Sequence, residues 1–182
     1  GAEGAWGIQA EYNMSAIATG RIWHLPDDVD TDVILAVKHF LNTAEERSQH
    51  CLENLVPNFA KEVKKGDVIV AGKNFGCGSS REFAPEAIYY SGVTCIVAKS
   101  FSRLFYRNAV NIGISLVENA DIQVQCADGD LIQVNYESRT IETNGKVYKM
   151  PRVPRHLEEI FHAGGLVNYH RQRNALTEEG VN

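Results

Sequence analysis

The segment GCGSSRE, residues 76–82, combines residue types that could carry out chemistry on a charged molecule. A glycine-rich turn that leads into a helix gathers unpaired backbone N–H groups around one point, and these groups stabilise negative charge. Arg81 adds a permanent cation whose planar guanidinium group suits a carboxylate. A serine hydroxyl acts as a base or nucleophile only where its anion is stabilised or a neighbouring base takes its proton. The segment is therefore a candidate site for a bound anion or for a reactive serine.

The same residues also fit a purely structural role. Ser79 and Glu82 have the spacing of a capping box, in which the serine accepts from the N–H of residue 82 and the glutamate reaches back. The glycines would then shape the turn that leaves the preceding strand. Cys77 is expected to shape this turn rather than to take part in chemistry. Spacing alone does not decide between the structural and the chemical interpretation.

Three common motifs do not fit this segment. After Gly72-Lys73 the chain has Asn74, where a phosphate-binding loop needs serine or threonine. Residues 81–83 are arginine, glutamate and phenylalanine, so the third glycine of a dinucleotide fingerprint and the glycine of a nucleophile elbow are both missing. A serine hydrolase would also need a histidine beside Ser79, and no spacing indicates one.

A second group of polar side chains is the acidic loop at residues 27–32, DDVDTD. It resembles the beginning of a calcium-binding loop, but Val33 stands where glycine is needed and His39 where the last glutamate belongs. The structural alternative is a solvated turn capped by Asp27 or Asp28. Carboxylates immediately before an apolar run are nevertheless placed where one of them could face a site.

Composition predicts an ordinary globular chain that binds neither nucleic acid nor membrane. Its 182 residues are 44% hydrophobic and 23% charged, which suits one domain. The net charge is −5, and no apolar run approaches the roughly 20 residues of a membrane span. The four cysteines include no C-x-x-C pair, so no zinc or iron–sulfur motif is predicted. Without a secretion signal, they indicate a reducing compartment, and we expect a cytoplasmic protein.

The segments around GCGSSRE alternate between strand and helix patterns. Apolar, β-branched runs predict strands over residues 19–25, 67–72, 93–99 and 114–118. Helices are predicted from Ser79 or Ser80 to about Tyr90, and from about residue 100 to Gly113. This alternation predicts a β-α-β-α-β core with parallel strands.

Shorter elements are predicted between the first two strands. Residues 33–37 form either a short strand or a buried connection. The capping box Thr43-Ala-Glu-Glu46 predicts a helix to about Glu53, and Pro57 can open another short helix.

After residue 120 the pattern changes to alternation of apolar and polar residues. It predicts antiparallel strands over residues 121–126, 131–137, 139–143 and 146–150. Asp128-Gly129 and Asn144-Gly145 would supply the hairpin turns. A helix over 155–163 would end at Gly164-Gly165, and residues 170–182 would form a loose tail. We therefore expect an α/β domain with a mixed sheet over residues 19–169, after a leader or an added segment over 1–18.

Three segments together resemble a known family. They are TGRIWHLPDDVDTDVI at 19–34, GDVIVAGKNFGCGSSRE at 66–82 and FSRLFYRNAVNIGISLVE at 101–118. They are similar to the small subunits of 3-isopropylmalate dehydratase and their relatives in the aconitase superfamily, over roughly residues 19–168. The resemblance implies the swivelling β/β/α fold, equivalent to the last domain of aconitase.

The resemblance also implies a hydro-lyase that is active only as a heteromer. A separate large subunit would carry a [4Fe–4S] cluster, and the small subunit would close over it, in a heterodimer or heterotetramer. The reaction would move a hydroxyl group between neighbouring carbons of a small hydroxy acid by dehydration and rehydration. The first expectation is isopropylmalate, in leucine biosynthesis, while homoaconitate, citramalate and dimethylmalate remain open.

Carried onto this sequence, the resemblance assigns roles to individual residues. Ser79 would be the general base that removes the carbon-bound proton, and Asp32 would be the active-site aspartate, with Thr31 beside it as support. Ser80 and Arg81 would stabilise the oxyanion and hold a substrate carboxylate. An alkoxide in a cationic environment suits this role, because a proton next to a carboxylate is only weakly acidic.

The substrate-reading loop implied by the resemblance comes before the first long helix. Its residues are Phe40, Leu41, Asn42 and Thr43. Relatives often carry arginine where this chain has Asn42, so Leu41 and Asn42 favour a smaller or apolar distal group on the substrate. Phe83 also departs from the family, whose members commonly have histidine after Ser-Ser-Arg-Glu.

A protein of another class remains as the alternative. An anion-binding or regulatory module could use the backbone of residues 76–82 without any chemistry. Ser79 distinguishes the two hypotheses, because backbone N–H groups would still bind an anion after Ser79→Ala, whereas a base requires the hydroxyl.

Overall fold

The structure, a computed structural model, describes residues 17–79, 82–93, 95–163 and 166–179. Most of the expected leader, together with Ser80, Arg81 and the predicted helix stop Gly164-Gly165, lies outside these ranges. The strands of the described ranges are β1 Ile17–His24, β2 Val68–Ala71, β3 Cys95–Ala98, β4 Ser115–Glu118, β5 Leu131–Asn135, β6 Thr140–Thr143 and β7 Lys146–Lys149. They form a mixed sheet in the order β4-β3-β2-β1-β5-β6-β7.

Helices connect and cover these strands. They are α1 Thr31–Ile34, a 3-10 helix Val37–His39, α2 Ala44–Ser48, α3 Phe59–Glu62, α4 Phe83–Tyr90, α5 Arg103–Ile112, α6 Ile122–Gln125, α7 Arg155–Ala163 and α8 Leu166–Glu179. α4 joins β2 to β3, and α5 joins β3 to β4, so the predicted β-α-β-α-β core is confirmed.

The parallel half of the sheet consists of β1 to β4. β2 and β3 are buried along their whole length because both faces of this half are covered. Ile69 and Ala71 point into a core that contains Phe59 and Phe75, whereas the alternate residues of the strand contribute to a second core. Burial on both faces is why these strands appear in the sequence as continuous apolar runs.

The antiparallel half consists of β5, β6 and β7, which attach to β1 through β5. The hairpin between β6 and β7 turns at Asn144 and Gly145, whose φ angles of 52° and 74° are those of a type I′ turn. The predicted mixed sheet and this hairpin are therefore confirmed.

The predicted strand over residues 121–126 is wrong. Its centre is helix α6, because the Asn119 side chain accepts the N–H groups of Asp121 and Ile122 at 2.8 and 2.9 Å and so holds the turn that leads into the helix. The predicted hairpin turn at Asp128-Gly129 is consequently a loop. Its Gly129 N–H donates to the Ile22 carbonyl at 2.8 Å, which ties the loop to β1.

The predictions before β2 are partly confirmed. The Thr43 capping box is present, with both of its hydrogen bonds, although α2 ends at Ser48 rather than near Glu53. A strand over 33–37 is wrong, because the Asp30 side chain accepts the Val33 N–H and begins helix α1.

The C-terminal segment is helical where a loose tail was expected. Helix α8 extends to Glu179, since seven of the nine residues from 171 to 179 are arginine, glutamine, alanine, leucine or glutamate, which favour helices. Tyr169 attaches the helix to α7, because its hydroxyl donates to Glu159 at 3.0 Å. Residues 170–179 are therefore helical, while the loose attachment of the tail and the domain limits of 19 and 169 remain predictions.

Candidate functional site

The acidic loop and the GCGSSRE segment lie side by side, although they are distant in sequence. The Gly76 N–H donates to the Val29 carbonyl and the Thr31 N–H donates to the Cys77 carbonyl, each at 2.8 Å. These bonds accompany a short parallel bridge between Asp30 and Cys77. Main-chain hydrogen bonds therefore fix the position of one loop against the other.

Two glycines make this arrangement possible. Gly76 and Gly78 have φ angles of 79° and 98°, in the left-handed region that favours glycine. A Cβ atom at Gly76 would lie only 2.1 Å from the Phe105 ring. The expectation that glycines shape this turn is therefore confirmed, and at Gly76 the close approach of α5 is a second reason for glycine.

Ser79 follows the second glycine and is exposed. Its Oγ lies 3.2 Å from Oγ1 of Thr31, a buried residue at the beginning of α1. The alternative of a capping box at Ser79 is wrong, because the residue that precedes α4 is Glu82, and no side chain among the described residues caps that helix. The Ser79 hydroxyl contacts a side chain of the acidic loop and is not used to begin a helix.

Most of the acidic loop serves to hold this arrangement together. Asp30 caps α1 by accepting the Val33 N–H at 2.8 Å. Asp27 accepts the Lys73 N–H at 2.7 Å, and Asp28 accepts from the Asn74 side chain at 3.2 Å. These three carboxylates therefore have structural partners on the backbone or side chains nearby.

Asp32 differs from the other carboxylates of the loop. It is exposed in the first turn of α1, directly after Thr31, whose hydroxyl contacts Ser79. The structure thus places Asp32 on the short helix that faces the motif. Its role as the active-site aspartate remains a prediction.

Cys77 lies inside the motif but is a poor nucleophile. Partial burial raises the pKa of its thiol, and the negative charges of Asp30 and Asp28 raise it further. The thiol therefore stays protonated near neutral pH, and only the thiolate is strongly reactive. This agrees with the expectation that Cys77 shapes the turn.

The expected substrate-reading loop lies beside α4. The Phe40 ring is 5.1 Å from the ring of Phe83, the first residue of α4, and Leu41 is fully exposed. Thr43 accepts the Glu46 N–H and caps α2. Ser80 and Arg81 precede α4 but lie outside the described residues, so their roles remain predictions.

Sequence reasoning missed Arg47, a buried cation of α2. Its Nη1 donates to the carbonyls of Phe40 and Asn42, and its Nη2 donates to Glu86 at 2.6 Å. Its guanidinium group also lies 4.5 Å from the centre of the Phe83 ring. No motif marks Arg47, because its partners on α4 are distant in sequence.

His39, His50 and Glu53 form a cluster whose donor atoms lie within 4.8 Å of one another. Both histidines hydrogen-bond to the Glu53 carboxylate at 2.7 Å. Their rings are stacked, with 3.7 Å between centroids and 9° between planes, so their nitrogen lone pairs run side by side. A single metal ion needs lone pairs that converge, and the cluster therefore fits proton sharing with Glu53 better than metal binding.

The cysteines of the described residues do not fit an iron–sulfur cluster. Cys51 and Cys95 belong to separate cores, and burial raises the pKa of both thiols, that of Cys95 to about 12. Cluster iron is held by cysteine thiolates that converge on one point. This part of the chain does not offer such a set.

No helix in the described ranges is both long and apolar enough to cross a bilayer.

Residues 28–120 match the aconitase C-terminal domain family. This range contains residues 28–32 of the acidic loop, the GCGSSRE segment and α5. The parallel strands β2 to β4 and the segments between them are thus those of an aconitase-type swivelling domain, and the predicted fold class is confirmed.

Named relatives are similar over nearly the whole chain. The 3-isopropylmalate dehydratase small subunit of Lachnospira eligens is 45% identical, and the match covers 90% of this chain and 99% of the relative. The isopropylmalate/citramalate isomerase small subunit of Methanocaldococcus jannaschii is 44% identical, with 91% and 100% covered. A crystal structure of 3-isopropylmalate dehydratase from M. jannaschii superimposes with a TM-score of 0.83 at 41% identity, covering 90% of this chain and 99% of that one. This chain belongs to the family of 3-isopropylmalate dehydratase small subunits.

Proposed function

We propose that this chain is the small subunit of an iron–sulfur-dependent hydro-lyase that interconverts 3-isopropylmalate and 2-isopropylmalate. The observation that carries the proposal is the position of Ser79. It lies at the end of a glycine turn whose backbone is fixed to the acidic loop, and its hydroxyl is 3.2 Å from that of Thr31. The reaction itself is taken from the relatives of this chain, which are named 3-isopropylmalate dehydratase.

Ser79 is the proposed general base. The proton next to a carboxylate is weakly acidic, so a hydroxyl can remove it only if its alkoxide is stabilised. Thr31 can donate a hydrogen bond to the Ser79 oxygen, because either hydroxyl of this pair can be the donor. Ser80 and Arg81 would hold the substrate carboxylate, and Asp32 would complete the site from α1.

A separate large subunit is the proposed carrier of the [4Fe–4S] cluster. Bound there, the cluster would act as a Lewis acid on the departing hydroxyl group of the substrate. The contribution of this chain is the base and the substrate contacts. Both Ser79 and Asp32 are exposed here, and a partner that covers them would exclude water from the reaction, in a heterodimer or heterotetramer.

The expected recognition of an apolar distal group rests on the loop of residues 40–43. Leu41 presents its whole side chain to solvent, and Phe40 lies against Phe83 beside the motif. Such a surface suits the isopropyl group of isopropylmalate. Because one similar small subunit is named an isopropylmalate/citramalate isomerase, citramalate is the first alternative substrate, followed by dimethylmalate and homoaconitate.

Anaerobic reconstitution tests this proposal. The chain is mixed with its cluster-loaded large subunit, and the unsaturated acid is followed in the ultraviolet. Its absorbance rises when isopropylmalate, citramalate or dimethylmalate is dehydrated, and it falls when homoaconitate is hydrated. We expect activity in the mixture, highest with isopropylmalate, and none with either subunit alone. A mixture that forms a stable complex but acts on none of these acids would contradict the proposed function.

A further inference from the structure

Arg47 is a buried charge between two segments of the site. Only 8% of the residue is exposed, and it lies on α2, directly after the loop of residues 40–43. Removing a cation from water costs free energy unless it is paired and hydrogen-bonded. The groups that pair with Arg47 therefore indicate which segments it holds together.

On one side, Arg47 holds the loop. A single nitrogen, Nη1, donates to the carbonyl of Phe40 at 3.2 Å and to that of Asn42 at 2.5 Å. These two carbonyls flank Leu41, whose side chain is fully exposed. Arg47 therefore fixes the main chain on both sides of the residue that the loop presents to solvent.

On the other side, Arg47 holds the first turn of α4. Nη2 donates to the Glu86 carboxylate at 2.6 Å, and the guanidinium group lies 4.5 Å from the centre of the Phe83 ring. The same ring contacts Phe40. Since α4 begins directly after residues 79–82, these contacts join the loop to the element that follows the proposed base.

Stability alone does not explain why a charged residue is buried at position 47. Its Nε is buried and has no hydrogen-bond partner among the described residues. A buried ion pair is often no more stabilising than apolar side chains of similar volume, whereas it fixes one arrangement among several. The planar fork of arginine presents one nitrogen to each segment, whereas a lysine has a single nitrogen for both.

We propose that Arg47 is a positioning residue that sets the substrate range of the site. By fixing Phe40 and Asn42 relative to α4, it determines how far Leu41 lies from a substrate bound at Ser79. This inference rests on the proposed function, because it concerns the substrate of that site.

The test compares Arg47→Lys and Arg47→Met with wild type in the reconstituted enzyme. The measured quantity is the ratio of kcat/KM for isopropylmalate to that for citramalate. We expect this ratio to fall on the order of tenfold, mainly through a higher KM for isopropylmalate, because a pocket that loses its fit loses discrimination of this size. Arg155→Met is the matched control, since Arg155 is exposed and its ion pair among the described residues is with its neighbour Glu159 on α7. Its ratio should equal that of wild type.

Hydrogen exchange on the isolated chain gives a second, independent measurement. We expect the amides of residues 40–43 to exchange faster in Arg47→Lys, while those of β2 and β3 stay protected.

If Arg47→Met does not fold, Arg47→Lys decides the question. An unchanged substrate ratio in an active, folded Arg47→Lys enzyme overturns the inference. If the wild-type mixture is itself inactive, the proposed function fails, and unchanged exchange at residues 40–43 overturns the positioning role separately.

Discussion

Two segments of the proposed site, GCGSSRE and the loop of residues 40–43, are held in different ways. The GCGSSRE segment is fixed by main-chain hydrogen bonds, through Gly76 to Val29 and through Thr31 to Cys77. The main-chain hydrogen bonds of the loop of residues 40–43 are local turns, from Phe40 to Val37 and from Asn42 to His39. Side chains join this loop to its surroundings, through Arg47 on its carbonyls and through the cap that Thr43 forms on α2.

We expect this difference to separate the proposed reaction from the choice of substrate. Main-chain bonds depend on backbone conformation, so side-chain substitutions around the motif leave the proposed base in place unless they alter a glycine. A loop held by side chains can be rearranged by single substitutions. We therefore expect substitutions at the motif to change turnover or folding, and those at the loop to change selectivity.

Gly76→Ala should have the largest effect on stability, because it changes the segment that is held by main-chain hydrogen bonds. An added Cβ would lie 2.1 Å from the Phe105 ring in a residue with a φ of 79°. Conformational strain and overpacking together should lower the free energy of unfolding by about 2–4 kcal/mol. Gly145→Ala is the matched control, because Gly145 has a similar φ of 74° but nothing within 4 Å of an added Cβ. If urea denaturation shows the same loss in free energy of unfolding for both variants, close packing at Gly76 is contradicted.

Thr31→Val tests whether the hydroxyl of Thr31 assists the proposed base Ser79. Valine preserves the buried shape but removes the hydroxyl 3.2 Å from that of Ser79. Loss of one hydrogen bond to the proposed base should lower kcat about tenfold with little change in KM. Thr31→Ser keeps the hydroxyl and should retain most of the activity. A valine variant as active as the serine variant would remove Thr31 from the mechanism.

Glu53→Gln tests the support behind the loop. Burial raises the pKa of the Glu53 carboxyl, but hydrogen bonds from His50 and His39 outweigh this and leave it below its usual value. A carboxyl with a lowered pKa stabilises the fold above its unfolded pKa of about 4.3, and this stability is lost as the pH falls through the folded pKa. The variant should therefore be about 1 kcal/mol less stable at pH 7, and the difference should shrink below about pH 4. Thermal unfolding across this pH range measures it, and a difference that does not depend on pH would show that the charge of Glu53 is unimportant.

Leu41→Ala should have the smallest effect on stability. Its side chain is fully exposed, so the free energy of unfolding should change by less than about 0.5 kcal/mol. The KM for isopropylmalate should nevertheless rise, if Leu41 contacts the distal group of the substrate. A changed stability would mean that Leu41 is packed in the isolated chain, and an unchanged KM would remove it from substrate recognition.

The parallel core could be predicted from sequence because its strands are buried on both faces and appear as uninterrupted apolar runs. The hairpin at Asn144-Gly145 could also be predicted, because a type I′ turn favours these two residues. The strand prediction for residues 121–126 is wrong, because a short alternating pattern does not reveal that the Asn119 side chain turns the chain into α6.

The site itself was only partly predictable. Local spacing suggested that Ser79 would cap a helix, whereas its hydroxyl contacts Thr31, which lies 48 residues away in sequence. Arg47 carries no local signal either, because its ion-pair partner Glu86 is 39 residues away. Contacts between distant segments follow from the sheet topology, and no short motif contains them.

The most direct test of the central claim is the turnover of Ser79→Ala in complex with the large subunit. The account predicts that the variant still folds and forms the complex, but that kcat falls about 10²–10⁴-fold, the usual contribution of a general base. Ser138→Ala, on the exposed turn between β5 and β6, should match wild type. Wild-type turnover in Ser79→Ala would contradict the account and leave the glycine turn as an anion-binding backbone without a catalytic serine.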